Sequence, residues 1–299
     1  MIRPLLLLLF LMLAYLFQYL LQELWRQQRQ HPLLRYISLG LLMLVGIGGV
    51  ALTSAVRGGA AQFDPKTVTG LVAWYKSDAG VLDASDNVIT VDNTKIKTWQ
   101  DQSGNGKHLV QATVGNQPAW RSAANGINGV PAVFFTGAST NYLVSSTFDL
   151  SSYTVFFVQK LSTDSVFYEH GNAATGNGQF AYTSQNASLY VRKGALVNGK
   201  DSSIGWGSGN VLLQWNGRYA GTSATHTMRK NGIDETLTVR NAGDPGTSTT
   251  TAALTLGARA SAAAPATGFI AEALFYNAAL SAGDITNIEA YLKKKWGTP

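Results

Sequence analysis

The sequence predicts a mainly β chain: two packed antiparallel sheets and a short C-terminal helix, preceded by an N-terminal transmembrane helical hairpin. Three observations predict it. Residues 1–58 hold two long apolar runs around a polar link. From Phe63 onward, short β-rich runs alternate with clusters of Gly, Asn, Asp and Ser. The last residues repeat apolar side chains at helical spacing between a start and a stop signal.

Composition narrows the class before any element is placed. The chain has 299 residues, 45% hydrophobic and only 13% charged, with no cysteine. Soluble domains carry about a quarter charged residues, so a disordered polyampholyte and a Lys/Glu-rich helical protein are both excluded. The lack of cysteine excludes a disulfide scaffold, thiolate zinc sites, iron–sulfur clusters and a cysteine nucleophile. The net charge of +6 is unevenly spread. Arg3, Arg26, Arg29, Arg35 and Arg57 against Glu23 place most of it before residue 59. The basic balance therefore reports membrane-flanking arginines, and no nucleic-acid partner is expected.

The first apolar run, residues 4–21, reads PLLLLLFLMLAYLFQYLL, with Gln18 its one strongly polar member. Roughly 18–20 such residues at about 1.5 Å each match the hydrocarbon thickness of a bilayer. After the link QELWRQQRQHPLLR, a second run covers 36–56 and contains Gly40, Gly46, Gly48 and Gly49, which membrane helices tolerate. The expected layout is a membrane segment over 1–58, with helices at about 4–22 and 36–56, a linker over 59–65 and a folded domain over 66–299. Arg26, Arg29 and Arg35 lie in the link, so the positive-inside rule puts the link in the cytoplasm and both termini outside. The second run also reads as a signal-peptide core ending at Thr53-Ser54-Ala55. It exceeds the usual apolar core of about 7–15 residues, which favours retention. Either way, the domain is expected to be extracytoplasmic: on a cell surface, in a periplasm or on a virion.

Strands are predicted over 71–75, 95–99, 132–135, 153–161, 165–169, 179–182, 189–192, 211–219, 226–230, 236–239, 254–258 and 269–276. Turn signals separate them: DQSGNG over 101–106 and the pairs Asn125-Gly126, Asn128-Gly129, Asn198-Gly199 and Asn231-Gly232. Trp74, Trp99 and Trp215 alternate with polar neighbours and are expected in the core. The closing helix starts at a Ser281/Asp284 capping pattern with a Leu280/Ile285 staple, and Ile285, Ile288 and Leu292 form its apolar stripe. Lys293, Lys294 and Lys295 suit the negative end of the helix dipole and read as a solvated terminus, and Gly297 supplies the stop.

Three segments carry a family resemblance: LVAWYKSDAGV (71–81), TWQDQSGNGKHLVQ (98–111) and QPAWRSAANGINGVPAVFFTG (117–137). With the ending GFIAEALFYNAALSAGDITNIEAYLKKKWG (268–297), residues 66–298 resemble the concanavalin A-like lectin/glucanase superfamily, in its laminin-G-like form. Such jelly rolls are frequent in bacterial surface proteins and phage structural proteins. The resemblance implies a two-sheet jelly-roll sandwich. It is weak for function, because lectins, glycanases, adhesion modules and structural spacers share the fold.

Catalysis finds little support in the residues. Glycoside hydrolysis needs two carboxylates about 5–9.5 Å apart, and strand positions i and i+2 or i+4 would present them on one face. No Glu-x-Asp-x-x-Glu run occurs; Glu169 and Glu272 stand alone, and Asp234-Glu235 point to opposite sides. The histidines His31, His108, His170 and His226 accompany no nucleophile elbow and no zinc motif. His170 beside Glu169 is the one pairing to record, and the chain is not expected to be an enzyme.

Binding has better candidates. Asp101, Ser103 and Asn105 present oxygens at alternate positions like the first half of a calcium loop. The twelfth position is Ala112, however, and an Asx-type turn explains the same residues. A glycan site needs an aromatic platform rimmed by amides and acids. Trp206 is the best loop aromatic, with Tyr168, His170 and Asn172 at a strand end and Tyr182 opposite. The expected function is a membrane-anchored, non-enzymatic attachment module. It would recognise glycan or a surface protein, with Ca2+ as the one conceivable cofactor. The alternative is a virion or envelope protein that assembles as a homo-oligomer through its jelly roll; a glycoside hydrolase ranks third.

Overall fold

The computed structural model describes residues 63–162, 165–173, 176–183, 187–202, 212–246 and 251–299. The expected membrane hairpin lies outside the described residues. Among the described residues no helix is long and apolar enough to cross a membrane.

Twenty strands and one α-helix are described. The first ten strands are β1 (Leu71–Lys76), β2 (Val81–Leu82), β3 (Thr98–Trp99), β4 (Leu109–Val110), β5 (Ala119–Arg121), β6 (Ala132–Thr136), β7 (Leu143–Ser145), β8 (Phe148–Asp149), β9 (Tyr153–Leu161) and β10 (Ser165–Asn172). They are followed by β11 (Asn177–Thr183), β12 (Ala187–Lys193), β13 (Leu196–Ser202), β14 (Leu213–Tyr219), β15 (Thr227–Lys230), β16 (Ile233–Asp234), β17 (Leu237–Ala242), β18 (Thr251–Ala252), β19 (Leu254–Leu256) and β20 (Thr267–Tyr276). Helix α1 (Ala282–Trp296) closes the chain.

The strands form two large antiparallel sheets. One has eight strands in the order β16-β15-β14-β9-β20-β6-β5, and β1 also pairs with β20. Strand β20 is long enough to share one edge between two partners: β6 along Thr267–Ile270 and β1 along Glu272–Tyr276. The other sheet has ten strands in the order β17-β13-β12-β11-β10-β19-β7-β4-β3-β2, and β18 and β8 form a separate small ribbon.

Packing explains why β9 reads as a continuous apolar run. Its inward residues Tyr153, Val155 and Phe157 join the inter-sheet core with Trp99, Leu109, Phe135, Leu143, Phe167, Trp215, Leu256 and Phe275. Its opposite face gives Phe156 and Val158 to a second core, where Trp74, Leu274 and Tyr276 meet Ile285, Ile288, Leu292 and Trp296 of α1. A strand buried on both faces has no polar side to alternate with. Gly257, at φ 91, lies against the Phe135 ring, where a Cβ would come within 2.3 Å of the ring.

The local signals are placed as read. Ser281 caps α1 by accepting from the Asp284 N–H at 3.1 Å, and Gly297 ends it in the left-handed region at φ 61. Asn128-Gly129 and Asn231-Gly232 both take positive φ throughout, as a type I′ turn requires. Two readings are corrected. Asn198-Gly199 is no turn: it lies inside β13, paired with Val191 and Tyr190 of β12. Lys295 is not solvated, because its ammonium bonds Glu272 at 2.7 Å and Asp78 at 3.0 Å.

Candidate functional site

The eight-stranded sheet has its outer face against α1, so α1 does not cover the outer face of the ten-stranded sheet. What that face presents is set by one irregularity in β10. Val166 pairs with Tyr182, but the next pair is Tyr168 with Ala181, so Phe167 is a bulged residue. Phe167 and the following Tyr168 both turn into the inter-sheet core, where each packs on Phe157. An extra residue reverses the phase of every side chain after it. Glu169 therefore faces outward and His170 inward.

This corrects two of the expected ligand residues. Tyr168 is fully buried, its ring stacked on Phe157 at 5.3 Å and 13°. His170 is equally buried, with Nε2 2.9 Å from the Phe148 carbonyl and its ring tilted against Phe148. Burial lowers its pKa to about 4, against the smaller opposing effect of the Phe148 carbonyl. The His170/Glu169 pairing is likewise undone, because the two side chains lie on opposite faces of the sheet. Asn172 is half-buried and lines the cleft described below. Trp206 and the side chain of Tyr182 lie outside the described residues.

The outward residues form a row across five strands, β10 to β13 and β17. Glu169 of β10 is buried and accepts from the Ala173 N–H at 3.0 Å, the Ala260 N–H at 2.6 Å and Arg259 Nη2 at 3.1 Å. Arg259 lies over the Phe180 ring at 4.4 Å, and Phe180 stacks on Tyr190 at 4.8 Å and 9°. Arg240 covers Tyr190 at 5.6 Å and donates to Asp201 at 2.8 Å. Cross-strand register explains the stack, since Glu169 pairs with Phe180 and Phe180 with Tyr190. Gly199 pairs next to Tyr190, where a Cβ would come within 2.7 Å of its ring. The result is a flat aromatic pair held between two guanidinium groups, each tied to a carboxylate.

Beside this row is an open cleft of about 730 Å³. Val144, Thr255, Ala252 and Ala253 line it with small and apolar surface, while Tyr142, Asn172, Asn177, Lys193 and Thr251 add hydroxyls, amides and an ammonium. Ala260, whose N–H holds Glu169, joins the row to the cleft. Nothing in the sequence pointed to Phe180, Tyr190, Arg240 or Arg259. Their juxtaposition depends on strand order and on the bulge.

The calcium-like loop is built as a turn. Asp101 Oδ1 accepts from the N–H groups of Trp74 at 2.9 Å and Ser103 at 2.8 Å; Oδ2 accepts from Ser103 Oγ at 2.7 Å and the Lys107 N–H at 3.1 Å. Asn105 donates its amide to the Leu71 and Val72 carbonyls at 3.0 and 3.2 Å. Protein N–H and O–H groups thus contact both oxygens of the Asp101 carboxylate. Among the described residues no group of three or more His, Asp or Glu side chains gathers at a metal-binding distance.

The chain matches no protein-family model and no curated protein. Among solved structures it is similar to domain 4 of AbnA, an extracellular GH43 arabinanase of Geobacillus stearothermophilus, solved with arabinotriose. That likeness has 14% identity and a TM-score of 0.50 over 74% of this chain and 98% of that one. It is similar to the binding domain of paraclostridial mosquitocidal protein 1, at 12% identity and a TM-score of 0.51 over 79% of this chain and 56% of that one. It is also similar to an arabinofuranosidase complexed with arabinofuranosyl-α-1,2-xylobiose, at 15% identity and a TM-score of 0.50 over 74% of this chain and 62% of that one. At such identities the likeness speaks for the fold alone, and it agrees with the strand order: the chain folds as a two-sheet antiparallel β-sandwich with a C-terminal helix.

Proposed function

We propose that this domain is a non-enzymatic carbohydrate-binding module of the concanavalin A-like, laminin-G-like kind, and that it binds a glycan in the cleft on the ten-stranded sheet. The observation that carries the reading is the cleft itself. A saccharide presents apolar C–H faces and lateral hydroxyls, and the cleft pairs small apolar surface with amide, hydroxyl and ammonium groups. The rigid Phe180–Tyr190 stack lies alongside. Binding rather than hydrolysis is supported by the lining: its described residues include no carboxylate, and the adjacent Glu169 is occupied by three donors. Domain 4 of the arabinanase, of which this chain spans 98%, was solved with a trisaccharide, which agrees with the reading.

The arginine distribution adds that the module is displayed outside a membrane on its N-terminal hairpin. Protease added to intact cells should then digest residues beyond 58 and spare the link. The binding test is a broad glycan array probed with the full chain in detergent, with calcium and then with chelator. Specific binding is the expected result, and its survival in chelator would leave Asp101, Ser103 and Asn105 as a turn. Binding lost on chelation would make them ligands. Failure to bind any glycan would overturn the proposal and favour the self-assembling envelope protein.

A further inference from the structure

The cleft also has a charge, and it is one-sided. Asn172 of β10 pairs across the ladder with Asn177 of β11, and Asn177 pairs with Lys193 of β12. Register therefore sets two amides and an ammonium in one row, and all three residues line the cleft. Asp149 pairs across its ribbon with the cleft residue Thr251 but buries its Oδ1, and the carboxylates of the neighbouring row are balanced: Glu169 by Arg259 and Asp201 by Arg240. Lys193 and its neighbour Arg192 are not. Among the described residues the Arg192 guanidinium donates to the neutral carbonyls of Gly194 at 2.9 Å and Ala173 at 3.0 Å, and neither it nor Lys193 forms an ion pair. No Asp or Glu is among the described lining residues. Lys193 is thus the one charged residue among the cleft's described lining residues, next to Asn172 and Asn177.

Resting on the carbohydrate-binding reading above, we propose that the cleft selects acidic glycans. A carboxylate or sulfate on the sugar sits against the Lys193 ammonium, the Asn172–Asn177 amides hold its remaining oxygens, and Arg192 adds field without contact. A neutral glycan leaves this ammonium without an anionic partner. The shared chemistry is an anionic sugar substituent, whether uronate or sulfate.

The test uses the full chain on an array of matched pairs: oligouronates against their methyl esters, and sulfated oligosaccharides against the desulfated forms. Each pair changes the charge and keeps the sugar. The expected result is preference for the acidic member, weakening with salt as an exposed charge pair does. Lys193→Gln should lower affinity for the acidic member about five- to tenfold, as expected for one charge-assisted contact. The loss for the neutral member should be distinctly smaller, and Lys193→Arg should restore the preference. Lys193 is exposed, so all three proteins should melt at the same temperature. Equal binding of both members, or acidic binding indifferent to Lys193→Gln, would overturn this inference and leave the carbohydrate reading standing. Binding to neither member of any pair would overturn both.

Discussion

Glu272 is a single carboxylate that ties β1, β20 and α1 together. Its Oε1 accepts from Trp74 Nε1 at 2.7 Å and the Tyr291 hydroxyl at 2.9 Å, and its Oε2 from Lys295 and Trp296 Nε1, both at 2.7 Å. A fully buried charge persists only when it is paired and hydrogen-bonded. Removing it strands two indole N–H groups and the Tyr291 hydroxyl and leaves Lys295 with Asp78 alone, so Glu272→Ala should cost about 3–5 kcal/mol by urea unfolding. The buried histidines make a second prediction. Burial lowers the pKa of His170 to about 4; burial and then the Lys200 charge lower that of His226 to about 3. An unfolded histidine titrates near 6.5. Both groups are neutral in the fold, so their contribution is complete above about pH 6.5 and is lost as pH falls toward 4 and 3. The loss amounts to about 3 kcal/mol or more for each. Unfolding midpoints measured from pH 7 to pH 3 should fall accordingly, and the His170→Gln/His226→Gln variant should show a shallower fall.

At the scale of elements, β10 and α1 show how small local features set large placements. The bulge at Phe167 decides that Glu169, rather than Tyr168 or His170, turns to the outer face. The capped ends of α1 keep its stripe aligned with the second core. Ser281→Ala removes the hydrogen bond to the Asp284 N–H and should cost about 1 kcal/mol. Gly297→Ala should cost a similar amount, about 1 kcal/mol, because φ is 61 there and the new Cβ would sit 3.0 Å from Asn128 Nδ2. Thermal unfolding of each variant checks both values. These features also show which parts are readable from sequence. Asn231-Gly232 and the Ser281 cap are legible because their energetics involve only a few neighbouring residues. The bulge is hidden because Val166, Phe167 and Tyr168 are all apolar, so no polar residue marks the change of phase.

For the whole molecule, the two sheets divide the labour. One has its central strands β9 and β20 buried on both faces, between the sandwich core and α1. The other keeps an outer face with a cleft beside the Arg259–Phe180–Tyr190–Arg240 row. Filling the cleft should therefore separate binding from stability. Ala253→Trp puts a large ring among Val144, Thr255 and Asn172 and should abolish glycan capture, while the melting temperature moves by no more than about 2–3 °C. Capture assays and calorimetry on the same preparations would show this, and binding that persists in Ala253→Trp would move the site elsewhere.

The sequence by itself determined the β class, most strand positions, the type I′ turns and the capped terminal helix. These follow from periodicity, φ preference and capping, all of which act over a few residues. Tertiary structure alone decided that NGKDS at 198–202 is a strand, because its extended form is held by β12 on one side and β17 on the other. It alone turned Tyr168 and His170 inward, and it alone stacked Phe180 on Tyr190 under two arginines distant in sequence. A binding face is a property of register and strand order, and register is fixed by how the sheets bury their cores together, which no local pattern encodes.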